Sequence, residues 1–207
     1  MSTFPRRFAS MSNYMPKRRT LFWLSFLYAG VVAAQAPSFN CDAARGIIET
    51  LICQDPGLAA LDRQMAEVYA AAEAKSHNEF PFVLKPEQRA WTKDRNGCWT
   101  SDERRACVSA AYRLRIAELQ VRYRLIEPFA TADYVCPDKA VVSAAYFNTD
   151  PATLLATRGD STSLMYVQPS ASGARYVGRH ASLWEHQGAA LIQWGYGAAE
   201  MTCRKQP

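Results

Sequence analysis

The chain has 207 residues, 49% of them hydrophobic, with 24 Lys+Arg against 19 Asp+Glu. That composition supports a buried core and excludes wholesale disorder. Arg6, Arg7, Lys17, Arg18 and Arg19 all lie in residues 1–34, which hold no acid, so the remainder is formally neutral and offers no basic face for a nucleic acid.

Lys17-Arg18-Arg19 precedes an apolar run of 12 residues, Leu21 to Val32. A permanent bilayer span needs about 20. Val32-Ala33-Ala34 supplies the small residues of a cleavage site, and residues 1–34 read as a signal peptide. Cleavage after Ala36 also fits, but places Pro37 behind the cut. The mature protein is expected in the periplasm or outside the cell. A lipoprotein needs Cys directly after cleavage, whereas the first one here is Cys41, so no stable membrane anchor is expected.

From Cys41 to about Ile126 the pattern is helical. Pro56 to Lys75 carries Leu58, Leu61, Met65, Val68, Tyr69 and Ala72 on one stripe, with Pro56 suited to a first turn. Asp62, Glu67 and Glu73 on this segment read as a solvated face. Pro86 to Arg95 forms a shorter helix with Trp91 inward, stopped by Asn96-Gly97. Ser101 is an N-cap candidate for a helix running through Val108, Tyr112, Ile116, Leu119 and Tyr123, which Pro128 ends.

After Pro128 the period changes to short segments between Gly or Pro turns. They are Tyr134–Cys136, Val141–Phe147, Thr153–Thr157, Ser163–Val167, Arg175–Val177, Ser182–His186, Ala190–Trp194 and Glu200–Cys203. Such spacing predicts a small antiparallel barrel or sandwich. The expected class is α+β with two domains, a helical one over 38–126 and a β-barrel of about eight strands over 132–207.

The six cysteines, Cys41, Cys53, Cys98, Cys107, Cys136 and Cys203, all follow the leader, and an even number in an exported chain reads as three disulfides. Their order alone leaves 15 pairings. A Cys98–Cys107 bridge would staple a helical hairpin, and Cys136–Cys203 would close the ends of the sheet. Cys41 and Cys53 would lie about 18 Å apart on one helix, so they could pair only if Cys41 precedes the helix and folds back near Gly46.

Tyr134-Val-Cys136, Ser170-Ala-Ser-Gly-Ala-Arg-Tyr176, Trp184 eight residues after Tyr176, and Cys203 together resemble the MliC/PliC family of c-type lysozyme inhibitors, over roughly residues 132–207. The resemblance implies a non-catalytic function: a Ser-Gly loop, here Ser172 and Gly173, enters the lysozyme cleft and engages its catalytic carboxyls together with a nearby Lys. In this chain His186 holds the Lys position, Gln187 the next, and Gly188 follows one residue late. Tyr176 and Trp184 are expected to support the loop. His180 is a rim candidate, Arg175 either contacts the partner or covers a strand, and His77 is inert.

Phe39-Asn-Cys41, Ile52-Cys53, Leu58-Ala-Ala-Leu-Asp62, Tyr69, Gln88-Arg-Ala-Trp91, Arg95, Cys98, Cys107 and Tyr112 resemble the LprI-like N-terminal domain over roughly residues 38–122. That resemblance implies the pairs Cys41–Cys53 and Cys98–Cys107.

Enzyme signals are poor. The chain has no His-Glu-x-x-His and no Gly-x-Ser-x-Gly, and three histidines make no zinc pattern. Neither a metal nor a cofactor is expected. The expected partner is a c-type lysozyme, and the rival reading is a periplasmic adaptor whose helices bind an envelope protein or peptidoglycan while the barrel no longer inhibits.

Overall fold

The computed structural model describes residues 36–76 and 83–207. The expected leader over 1–34 and His77 lie outside the described residues. Four α-helices are followed by an eight-stranded barrel: α1 (Ile47–Gln54), α2 (Pro56–Lys75), α3 (Leu84–Asn96) and α4 (Arg104–Arg122), then β1 (Ala130–Val135), β2 (Val141–Phe147), β3 (Thr153–Arg158), β4 (Ser161–Gln168), β5 (Ala174–Gly178), β6 (Ala181–His186), β7 (Ala189–Trp194) and β8 (Met201–Lys205). No described helix is long and apolar enough to cross a membrane.

Helices α1 and α2 begin where side chains satisfy free backbone donors. Before α1, the Glu49 carboxylate accepts from the N–H groups of Arg45 (3.0 Å) and Gly46 (3.2 Å). Asp55 caps α2 by accepting from Leu58 N–H at 2.9 Å, with Pro56 in the first turn. The same carboxylate takes Arg105 Nε at 2.6 Å, tying the start of α2 to the start of α4. Both acids are held below their ordinary pKa, Glu49 by those two backbone donors and Asp55 by Arg105 and then Leu58.

Sequence spacing did not separate α1, an eight-residue helix after Gly46. Ser101 does not cap α4: Glu103 holds that position without a side-chain cap, and Ser101 Oγ accepts from Glu103 N–H at 3.2 Å. Pro128 is not the stop either. Arg124 turns left-handed (φ 49°), its N–H donating to Val121 O (3.1 Å) while Leu125 N–H donates to Gln120 O (2.8 Å). This double closure ends the helix from within.

Leu58, Met65 and Ala72 of α2 pack with Val108, Tyr112, Ile116 and Leu119 of α4. Glu67 and Glu73 are exposed, but Asp62 is not on a solvated face; it is 5% exposed. Its position, four residues after Leu58 and three before Met65, places it within the apolar stripe. Asp62 Oδ1 accepts from Tyr112 OH at 2.7 Å, and Oδ2 accepts from Ser38 N–H (2.7 Å) and Oγ (2.6 Å). Arg95 Nη1 donates to Tyr112 OH at 2.6 Å and lies 3.8 Å from Asp62 Oδ1. The Arg95 guanidinium also sits over the rings of Trp91 and Tyr112. Two disulfides staple this half: Cys41–Cys53 (Cα–Cα 5.9 Å) and Cys98–Cys107 (5.7 Å). Cys41 precedes α1 in a short 3-10 turn, Cys41–Ala43, and the chain folds back to reach Cys53.

Each strand of the barrel pairs antiparallel with its sequence neighbour, and β8 closes on β1. Alternation sends Tyr134, Val142, Ala144, Leu154, Ala156, Met165, Leu183, Ile192 and Cys203 into the interior. The closing seam is short, with only Tyr134↔Lys205 and Val135↔Arg204 in register. Cys136–Cys203 crosses it with a Cα–Cα distance of 4.1 Å, and Gln206 N–H donates to Asp133 O at 2.8 Å. Helices and barrel belong to one compact unit. Tyr166 OH on β4 donates to Leu114 O on α4 (3.3 Å), and Arg113 lies 3.5 Å from Asp150 in the β2–β3 loop.

Removing the Tyr112 hydroxyl leaves Arg95 and Asp62 each short of a partner in a buried site. Tyr112→Phe should therefore lower stability by about 1–3 kcal/mol, read as a reduced urea midpoint with unchanged far-UV circular dichroism.

Candidate functional site

In an up-and-down barrel, consecutive loops alternate between its two ends. The β2–β3, β4–β5 and β6–β7 connections therefore share one rim, and the β4–β5 loop carries Ser172 and Gly173. Gly173 adopts φ +67°, a region that favours glycine. A Cβ there would lie 2.0 Å from the Glu185 carbonyl oxygen, so the loop backbone rests directly on the end of β6. Ser170 Oγ donates to Gly173 O at 2.9 Å across the turn, and Trp184 Nε1 donates to Ser172 O at 2.8 Å. Ser172 is exposed, and among the described residues its hydroxyl makes no hydrogen bond. The loop is thus tied by its backbone while the side chain stays uncommitted.

His186 is the last residue of β6, exposed, and paired with Ala189. Gln187 (φ 51°) and Gly188 (φ 79°) form the two-residue turn between them. Two consecutive positive φ values put Gly at the second central position, which accounts for Gly188 coming one residue late. The Trp184 and His186 rings lie 6.4 Å apart on one face of β6. Arg175 pairs with Trp184 and is exposed. Tyr176 faces the other way: it is buried in the barrel, its ring edge-on to Tyr146 at 5.8 Å. The rim thus brings Ser172, Gly173, Trp184 and His186 together, with Tyr176 beneath. His180 is not part of it. It lies in the β5–β6 connection at the opposite end, 6.2 Å from the exposed ring of Tyr196.

Sequence reasoning missed the inner side of this rim. Ala181 and Leu183 point inward, so Glu185 does too. Its Oε1 accepts from Lys205 Nζ at 3.0 Å and its Oε2 from Tyr146 OH at 3.0 Å, while the Tyr134 and Tyr146 hydroxyls lie 2.8 Å apart. Burial alone would push the Glu185 pKa up, but hydrogen bonds from Lys205, Tyr134 and Tyr146 outweigh it and leave the carboxyl below its ordinary value. Burial pushes Tyr134 up to about 12 and Tyr146 further in the same direction. The period-two pattern of β6 was the available signal, because it puts a glutamate at an inward position. Among the described residues no group of three or more His, Cys, Asp or Glu could hold a metal ion.

Glu185 has a depressed folded pKa, so its contribution to stability is full above its ordinary value of 4.5 and is lost as pH falls through the lower folded value. Between about pH 5 and about pH 2.5 the parent thermal midpoint should fall more steeply than that of Glu185→Gln. The slope remaining in the variant belongs to groups such as Glu49 and Asp55.

The family model described as "Membrane-bound lysozyme-inhibitor of c-type lysozyme", MliC, matches residues 134–201. Lipoprotein LprI of Mycobacterium bovis is 30% identical over 170 residues, covering 81% of this chain and 83% of that protein. Lipoprotein LprI of Mycobacterium tuberculosis matches with the same identity and coverage. No solved structure matches the chain.

Proposed function

The chain belongs to the LprI family and carries an MliC domain, and from that premise we propose that it is an exported, non-catalytic inhibitor of c-type lysozyme that inserts the Ser172–Gly173 loop into the enzyme's cleft. The observation that carries the reading is the loop itself: a backbone fixed by Trp184, Ser170 and Glu185 presents a free serine hydroxyl at the barrel rim. Glycosidases of this type cut with two carboxyl groups, one acting as acid and one as nucleophile, about 5–5.5 Å apart. A hydroxyl suits that pair because it can donate to the carboxylate and accept from the protonated acid. His186, beside Trp184 on the same rim, adds a donor when protonated.

The family description "membrane-bound" and the lipoprotein relatives support an envelope setting. Export through a leader over 1–34 fits it, as do three disulfides. Cys41 is bonded to Cys53, so its sulfur is not free to take a lipid. In this reading residues 38–126 and 132–207 are the two domains, and the second meets lysozyme.

The direct test is peptidoglycan turnover by purified c-type lysozyme in the presence of the mature chain. Turnover should fall in a saturable manner. Undiminished turnover at high micromolar protein would overturn the inhibitor reading and leave the envelope adaptor. Ser172→Arg, too bulky for a plug, should weaken affinity at least about tenfold, or about 1.4 kcal/mol, with an unchanged thermal midpoint.

The histidine at the Lys position gives a second expectation. Lysine carries its charge through neutral pH and histidine in general does not. His186→Lys should bind more tightly than the parent at about pH 7.5 and lose less affinity between mildly acid and neutral pH. Parallel pH curves for the two proteins would remove His186 from the contact.

A further inference from the structure

Lys205 ends β8 at the same rim. It shares the parity of the fully buried Cys203, so its side chain starts from the interior face of the barrel and emerges at the mouth, with 42% of its surface exposed. Two contacts fix its place. Its N–H donates to Gly188 O in the β6–β7 turn (3.2 Å), and its Nζ donates to Glu185 Oε1 (3.0 Å). Glu185 joins it to the loop, because the Glu185 carbonyl is the atom a Gly173 Cβ would strike. One residue therefore supports the serine loop with its backbone and the ammonium with its side chain.

We propose that Lys205 is a contact residue for the lysozyme partner, a cation held at the barrel mouth by Glu185 and shared with an acidic acceptor in the partner's cleft. An ammonium has three donors, and Glu185 uses one of them. The second Glu185 oxygen is taken by Tyr146, so the carboxylate is committed inside the barrel and fixes the lysine from below. A long side chain ordered before binding loses less freedom when the complex forms. The partner has the matching chemistry, since a retaining glycosidase cleft carries carboxylates. The neighbouring Arg204 faces outward on β8 and does not share the mouth.

This inference rests on the lysozyme reading, and the experiment separates the two. Dissociation constants for purified c-type lysozyme are measured for the parent, Lys205→Met, Glu185→Gln and the double variant, with thermal midpoints and near-UV circular dichroism as fold controls. Lys205→Met alone strands a half-buried carboxylate and could act through the loop. In the Glu185→Gln background no such charge is left, and the lysine can be removed cleanly. We expect Lys205→Met to weaken binding at least fivefold in both backgrounds, and Lys205→Arg to retain most of the parental affinity. Loss in the Glu185 background alone, with no loss in the Gln background, would show that Lys205 only balances Glu185 and would overturn the proposal. No loss in either background would overturn it too. A parent that does not bind lysozyme at all would instead sink the inhibitor reading.

Discussion

A carboxylate taken out of water must find charged or hydrogen-bonding partners, or it destabilises the fold by several kcal/mol. Glu185 meets that requirement at the barrel rim, and it does so by drawing on separate strands. Lys205 comes from β8, Tyr146 from β2, and Tyr134 from β1 behind Tyr146. These strands include both sides of the closing seam. The same residue carries the β4–β5 loop on its carbonyl oxygen. One partly buried acid thus links the mouth of the barrel, both sides of its seam and the serine loop.

The helical half repeats the device with a different cast. Asp62 sits in the apolar stripe of α2 and gathers Tyr112 from α4, Arg95 from α3 and Ser38 from the segment ahead of α1. Apolar packing alone tolerates sliding between helices, whereas a buried acid with fixed partners allows few alternatives. The Cys41–Cys53 and Cys98–Cys107 bridges then limit the segments that lead into these helices. The four helices obtain a defined arrangement from a polar centre and two covalent links.

The barrel was legible because strand composition and turn residues act locally: Val141–Phe147 is a run rich in β-branched and aromatic residues, set between Pro137-Asp138 and Asn148-Thr-Asp-Pro151. Helix α2 was legible for the same reason at a period of 3.6. The end of α4 was not, because the stop is a left-handed Arg124, a residue type with no preference for that conformation. Asp62 was misread because the residue type was weighed above its position, although its spacing from Leu58 and Met65 already placed it inside. The proximity of Ser172, Gly173, Trp184 and His186 was legible because one motif concentrates them in a short stretch. Glu185 and Lys205 escaped because their meeting depends on strands far apart in sequence, a relation that only the register of the closed sheet reveals.

That closed sheet has one short seam. The seam between β1 and β8 has two residue pairs, against six between β6 and β7, and Cys136–Cys203 is its covalent part. If that seam opened, β1 and β8 would become two unpaired edges whose N–H and C=O groups invite strands from other chains. The disulfide holds both edges together. A reduced chain keeps only the short backbone ladder against that hazard, so the sulfur pair guards the molecule from its own copies as well as from unfolding.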